Sequence, residues 1–147
     1  MTSPETGDAL LLVDDDPEMR AMLRDYLSGT GLRIEEAADT DELLALVPRV
    51  APAAIILDHE MPGDWGLEVL PALRKACPDV PVIFTTAFGS PAMWETAARE
   101  GAAASVSKPF RVADLLGTVR RLLTRRLGPL SLSLGGEGQG EGEPARP

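Results

Sequence analysis

Ala9-Leu10-Leu11-Leu12-Val13-Asp14-Asp15-Asp16-Pro17 is the stretch on which the fold turns. Five apolar residues without polar alternation are the pattern of a strand buried on both faces, as in a parallel sheet covered by helices. The run breaks into three carboxylates, and Asp16-Pro17 reads as a helix start. Asp16 offers a side-chain cap, and Pro17 at the first helical position has no N–H to leave unsatisfied. Met19, Met22, Leu23, Tyr26 and Leu27 then recur at helical spacing and predict a stripe packed on the sheet. Gly29 and Gly31 end that helix.

The same unit repeats down the chain. Leu32–Glu36 alternates apolar and charged residues, which predicts a half-exposed edge strand, and Asp39 or Thr40 caps a second helix running to about Arg49. Ala53–Leu57 is a second buried strand; Gly63 and Gly66 mark a loop, and Leu67–Lys75 reads as a helix. Val80–Thr85 is the next buried strand, Ser90-Pro91 opens a helix to about Glu100, and Gly101 stops it. Ala102–Val106 is a short last strand, and Val112, Leu115, Leu116, Val119, Leu122 and Leu123 form the stripe of a last helix. Five strands alternating with five helices predict an α/β, doubly wound parallel sheet. Residues 1–8, polar and carrying Pro4 and Gly7, read as a flexible N-terminus and 9–127 as one domain. Residues 128–147 are rich in Gly, Pro, Ser and Glu and predict a disordered tail, in which Leu130, Leu132 and Leu134 alternate with serines.

Composition narrows the function. The net charge is −9, of which Glu137, Glu141, Glu143 and Arg146 account for −2, leaving −7 on the rest. So acidic a domain is a poor nucleic-acid binder and suits cations or basic partners. Cys77 is the one cysteine of the 147 residues, so no internal disulfide is available. No signal-peptide pattern and no apolar run of about 20 residues is present, which predicts a soluble, cytoplasmic protein with no membrane contact. The residues after the last helix are too few and too polar for a DNA-binding output domain, so a stand-alone domain is expected.

In a doubly wound sheet, ligands bind beyond the carboxyl ends of the strands. There stand Asp14, Asp15 and Asp16 after the first strand, Asp58 after the third, Thr86 after the fourth, and Lys108-Pro109 after the fifth. Crowded carboxylates repel and raise one another's pKa unless a cation neutralises them, and Mg²⁺, a hard ion that takes oxygen ligands, does this well. Asp58 is then a candidate carboxylate nucleophile. Lys108 supplies positive charge and Thr86 a hydroxyl donor for the oxygens of a transferred phosphoryl group.

Leu12-Val13-Asp14-Asp15-Asp16, Leu57-Asp58-His59-Glu60-Met61-Pro62-Gly63, Thr85-Thr86-Ala87 and Ser107-Lys108-Pro109-Phe110 resemble, in order and spacing, the successive motifs of bacterial two-component response-regulator receiver domains. The resemblance covers about Ala9–Arg126. It implies the flavodoxin-like receiver fold with strand order 2-1-3-4-5. It also implies Asp58 as phosphoacceptor, Asp14 and Asp15 as the acidic pair holding Mg²⁺, and Glu60 as a metal ligand through its backbone carbonyl. Thr86 resembles the switch hydroxyl and Lys108 the phosphate-binding lysine. Implied partners are a histidine kinase or phosphotransfer protein and an unknown downstream protein, with homodimerisation left open. The implied chemistry is self-catalysed phosphotransfer and autodephosphorylation rather than turnover by an enzyme.

Two positions depart from the family pattern. Ser105 stands where an aromatic switch residue is usual, and Trp65 where an acidic residue is common. Ser105 favours the alternative of a pseudo-receiver, an interaction module acting without phosphorylation. Trp65 is read either as a partner contact or as local packing, and Trp94 either as a partner contact or as a core anchor. Phe88, two residues after Thr86, is expected to restrict the water that hydrolyses an acyl phosphate. His59 is expected to face solvent, since strand neighbours point to opposite sides. Arg120, Arg121, Arg125 and Arg126 give the last helix a basic end that suits its dipole or docks an acidic partner. An aspartate-nucleophile phosphatase is disfavoured because Glu60 stands where its second aspartate would be. A flavin carrier is disfavoured because three aspartates would repel the phosphate.

Overall fold

The computed structural model describes residues 9–61 and 65–127, with backbone alone for Thr30 and 124–127. The flexible N-terminus and disordered tail read from the sequence, the leucines of that tail, Gly63, and the side chains of Arg125 and Arg126 lie outside the described residues. The elements are β1 (Ala9–Val13), α1 (Pro17–Leu27), a 3₁₀ turn (Ser28–Thr30), β2 (Arg33–Ala37), α2 (Thr40–Val50), β3 (Ala54–Asp58), α3 (Gly66–Ala76), β4 (Val82–Thr86), α4 (Pro91–Arg99), β5 (Ala104–Ser107) and α5 (Val112–Leu127). The strands form one parallel sheet in the order β2-β1-β3-β4-β5.

Alternation along each strand feeds two cores. Leu11, Val13, Ile55, Leu57, Val82 and Phe84 meet Leu43 and Val47 of α2, Val69, Leu70 and Leu73 of α3 and Ala97 of α4. Leu10, Leu12, Ala54, Ile56 and Ile83 meet Leu23 and Leu27 of α1 and Leu115, Val119, Leu122 and Leu123 of α5. Burial on both faces is why the central strands read as unbroken apolar runs.

Several expected boundaries shift, for physical reasons. Val80 closes a turn onto Cys77, and Pro81 has no N–H to donate, so β4 begins only at Val82. At their other ends the strands run further than expected. Asp58 pairs with Thr85 and Thr86 with Ser107, so the candidate residues finish strands rather than follow them. The buried stripe of α1 is narrower than the sequence implies. Leu23 and Leu27 are buried, but Met22 is 39% and Tyr26 58% exposed. Asp39, not Thr40, caps α2: its carboxylate accepts from the Glu42 amide, and Glu42 accepts in return from the Ala38 amide. The β2 edge is covered by charge, with Glu36 bridging Arg20 and Arg24 of α1.

Candidate functional site

The order reverses between β1 and β3, and the carboxyl ends of the strands there form the crevice in which ligands of such sheets sit. Asp14 follows β1 directly, its amide donating to the Ala37 carbonyl at 3.2 Å. One Asp14 oxygen accepts from the Asp16 amide at 3.0 Å, which turns the chain into α1. Asp16 itself caps α1 through the Glu18 amide. Arg20 of α1, a residue sequence reasoning did not single out, donates to the Asp14 carbonyl and ties this turn to β2 through Glu36.

Asp58 ends β3 at 1% exposure. The α3 entry closes over it: a Cβ on Gly66 would stand 2.5 Å from the Asp58 carbonyl oxygen and 2.9 Å from His59 Cα, so this approach needs glycine. Lys108 reaches across from the end of β5, its Nζ 2.8 Å from Asp58 Oδ1 and 3.1 Å from Asp14 Oδ2. The contact with Asp58 lies outside hydrogen-bond geometry, and no donor among the described residues bonds to Oδ2. Asp14, Asp15 and Asp58 bring ligand oxygens within 4.8 Å of one another. This set of hard oxygen donors, with a buried carboxylate oxygen left unbonded, fits a hard metal cation.

Burial pushes the Asp58 carboxyl up from the ordinary aspartate value to about 6; Lys108 opposes this and Asp14 adds to it. Desolvation thus outweighs the carboxylate crowding that the sequence emphasises. For Lys108, burial works against the charge, but Asp58 and Asp14 outweigh it and hold the ammonium above the usual lysine value.

Thr86 ends β4 fully buried, as the strand pattern requires. Its hydroxyl donates to the Glu60 carboxylate, whose other oxygen accepts from the Ala87 amide at 3.0 Å. The Phe88 amide donates to Thr86 Oγ1 at 3.2 Å. The Glu60 side chain is therefore part of the site, a role the sequence reading gave only to its backbone. The signal was available: Glu60 is two residues beyond Asp58, on the same side if the strand continues.

His59 corrects an expectation. It points away from Asp58, as strand alternation requires, but not into solvent: it is 8% exposed. Its Nδ1 accepts from the Leu67 amide at 3.1 Å, and its ring lies 5.0 Å from Trp65 and 5.3 Å from Phe84. Both sheet faces are covered here, so the side opposite the site is core. Burial lowers the imidazole pKa against the pull of Glu60 and Glu68, which suits a neutral ring accepting at Nδ1. Trp65 packs on His59 yet stays 51% exposed. Trp94 is half-buried against the α2–α4 core and covers Gly89 so closely that a Cβ there would stand 2.1 Å from its ring. Ser105 is exposed on the edge strand, and Phe88, two residues beyond Thr86, is 76% exposed.

Residues 10–120 match the family model described as the response regulator receiver domain. The chain belongs to that family. Among curated relatives, the response regulator MprA of Mycobacterium leprae (strain TN) is 40% identical over 116 residues, 79% of this chain and 51% of that protein. This receiver domain thus spans about half the length of such a relative. Among solved structures, a CheY-like receiver domain protein from Methanospirillum hungatei JF-1 superposes with a TM-score of 0.78 at 27% identity, covering 82% of this chain and 96% of that one. The beryllofluoride-activated NtrC4 receiver domain dimer superposes with a TM-score of 0.77 at 26% identity, covering 81% and 98%. The matched span holds every residue of the cluster, from Asp14 to Lys108.

Proposed function

We propose that this receiver domain takes a phosphoryl group onto Asp58 from a histidine kinase or phosphotransfer protein, and that a separate protein reads the result through a phosphorylation-dependent contact. The observation that carries the reading is the state of Asp58: a buried carboxylate with one oxygen against an ammonium and the other without a donor among the described residues. Burying such a group without full hydrogen bonding is costly, and groups of this kind cluster at functional sites.

In the reaction, an Asp58 oxygen attacks phosphorus as the P–N bond of a phosphohistidine breaks. The imidazole leaves with the electron pair and takes up a proton, and Asp58 becomes an acyl phosphate. In this reading Lys108 balances charge on the phosphoryl oxygens and the Thr86 hydroxyl donates to one of them. Asp14, Asp15, Asp58 and the Glu60 backbone carbonyl would hold Mg²⁺, which when bound supplies charge neutralisation for the approaching phosphoryl group. The domain is not an enzyme in this reading: it catalyses only its own phosphorylation and dephosphorylation. No helix among the described residues is long and apolar enough to cross a membrane, and a cytoplasmic place of action fits a kinase partner.

Intact-mass measurement after incubation with a small-molecule phosphodonor and Mg²⁺ tests this. A single labile adduct that needs Mg²⁺ and is missing from Asp58→Asn is the expected result. Ser105 and the engagement of Thr86 by Glu60 favour a second reading, a pseudo-receiver that binds its partner unmodified. Absence of any adduct with several donors would select it.

A further inference from the structure

Glu60 is held by neighbours in a way the receiver reading does not require. Its two carboxylate oxygens accept from donors on consecutive residues, the Thr86 hydroxyl and the Ala87 amide, and no cation pairs with it among the described residues. Thr86 is fully buried, and its oxygen already accepts from the Phe88 amide. A threonine hydroxyl has one proton to give. It therefore serves Glu60 or a phosphoryl oxygen on Asp58, but not both.

We propose that the Glu60 side chain is a positioning residue that competes for the Thr86 hydroxyl. In the unmodified domain it clamps the start of the β4–α4 loop, and it surrenders that hydroxyl when a phosphoryl group stands on Asp58. The inference rests on the receiver reading and supplies what Ser105 leaves open. Two effects drive the release. A phosphoryl group adds negative charge beside a carboxylate and repels it. It also offers the hydroxyl a charged acceptor of comparable strength. Loss of the Thr86 bond leaves Ala87 held by a carboxylate under repulsion, so the loop from Ala87 to Ser90 loosens. Gly89 in that loop lies under the Trp94 ring, so the change passes directly to α4. Residue 105 takes no part in this route.

The test has two arms. In the metal-free, unmodified protein, Glu60→Ala should speed hydrogen exchange at the Ala87 amide at least tenfold; an unchanged rate overturns the clamp. With Mg²⁺ present, beryllofluoride, a phosphoryl mimic, should bind Glu60→Ala about tenfold more tightly than the wild type, with Glu60→Gln between them. The gain should shrink below about twofold in a Thr86→Val background, because the two residues are coupled. A gain that persists in Thr86→Val reports only the removal of a negative charge and overturns the competition, as does no gain at all. If no variant binds beryllofluoride, the receiver reading falls and the proposal with it. A wild type that binds while Glu60 and Thr86 act independently sinks the proposal alone.

Discussion

The two sides of Asp58 are built differently. Towards β1 and β5 the site is charge against charge: Lys108 lies between Asp58 and Asp14, with Asp15 beside them. Towards β4 it is a hydrogen-bonded clamp, with Glu60 holding Thr86 and Ala87. On the charged side the carboxylates and the ammonium already stand together around a buried aspartate. The clamped side must let go of a bond to contribute. In the proposed function, chemistry belongs to the first side and response to the second.

Lys108→Ala damages the charged side most severely. It removes the ammonium at 2.8 Å from Asp58 and 3.1 Å from Asp14 and leaves carboxylates facing each other. Adduct formation followed by intact mass should slow by roughly 100-fold or more, the scale of losing one electrostatic stabiliser.

Next comes the burial of Asp58, tested through pH in metal-free protein. Its folded pKa of about 6 stands above the ordinary aspartate value, so the folded state binds the proton more tightly than the unfolded chain. The resulting stability is fully present below about pH 4 and is lost as pH rises through about 6. Asp58→Asn should therefore be more stable than the wild type at pH 7, by on the order of 3 kcal/mol, with the advantage gone by about pH 4. Urea denaturation across that range checks it. Added Mg²⁺ should stabilise the wild type more than the variant.

Gly66→Ala attacks the support common to both sides. Its Cβ would meet backbone on Asp58 and His59, which cannot move like a flexible side chain. A loss of about 2 kcal/mol in chemical denaturation is expected, the scale of overpacking. Phe88→Ala has the smallest effect. With the ring 76% exposed, stability should stay within about 0.5 kcal/mol. Dephosphorylation should quicken a few-fold if the ring restricts the attacking water, and an unchanged rate would remove Phe88 from the account.

The same contrast explains what the sequence disclosed. Asp14, Asp58, Thr86 and Lys108 could be placed because each stands at the end of an apolar strand, and a parallel sheet brings such ends together. Asp16-Pro17 and Ser90-Pro91 located two helix starts because capping is local chemistry. The Glu60 side chain was missed because its partners, 26 and 27 residues away, depend on how the β3–α3 and β4–α4 loops meet. His59 was misplaced because alternation says which side of a strand a residue faces but not what covers that side. Met22 and Tyr26 fit a helical stripe by spacing, yet the α1 contact is narrower than the stripe, and only the packed neighbours set that width.

Whether Asp58 becomes an acyl phosphate is decided by borohydride trapping. After treatment with phosphodonor and Mg²⁺, borohydride reduces an aspartyl phosphate to homoserine, which peptide mass spectrometry locates. Homoserine is expected at position 58 alone, dependent on the donor and on Lys108. Label at Asp14 or Asp15 instead, or no homoserine under conditions that modify a known receiver, would contradict it.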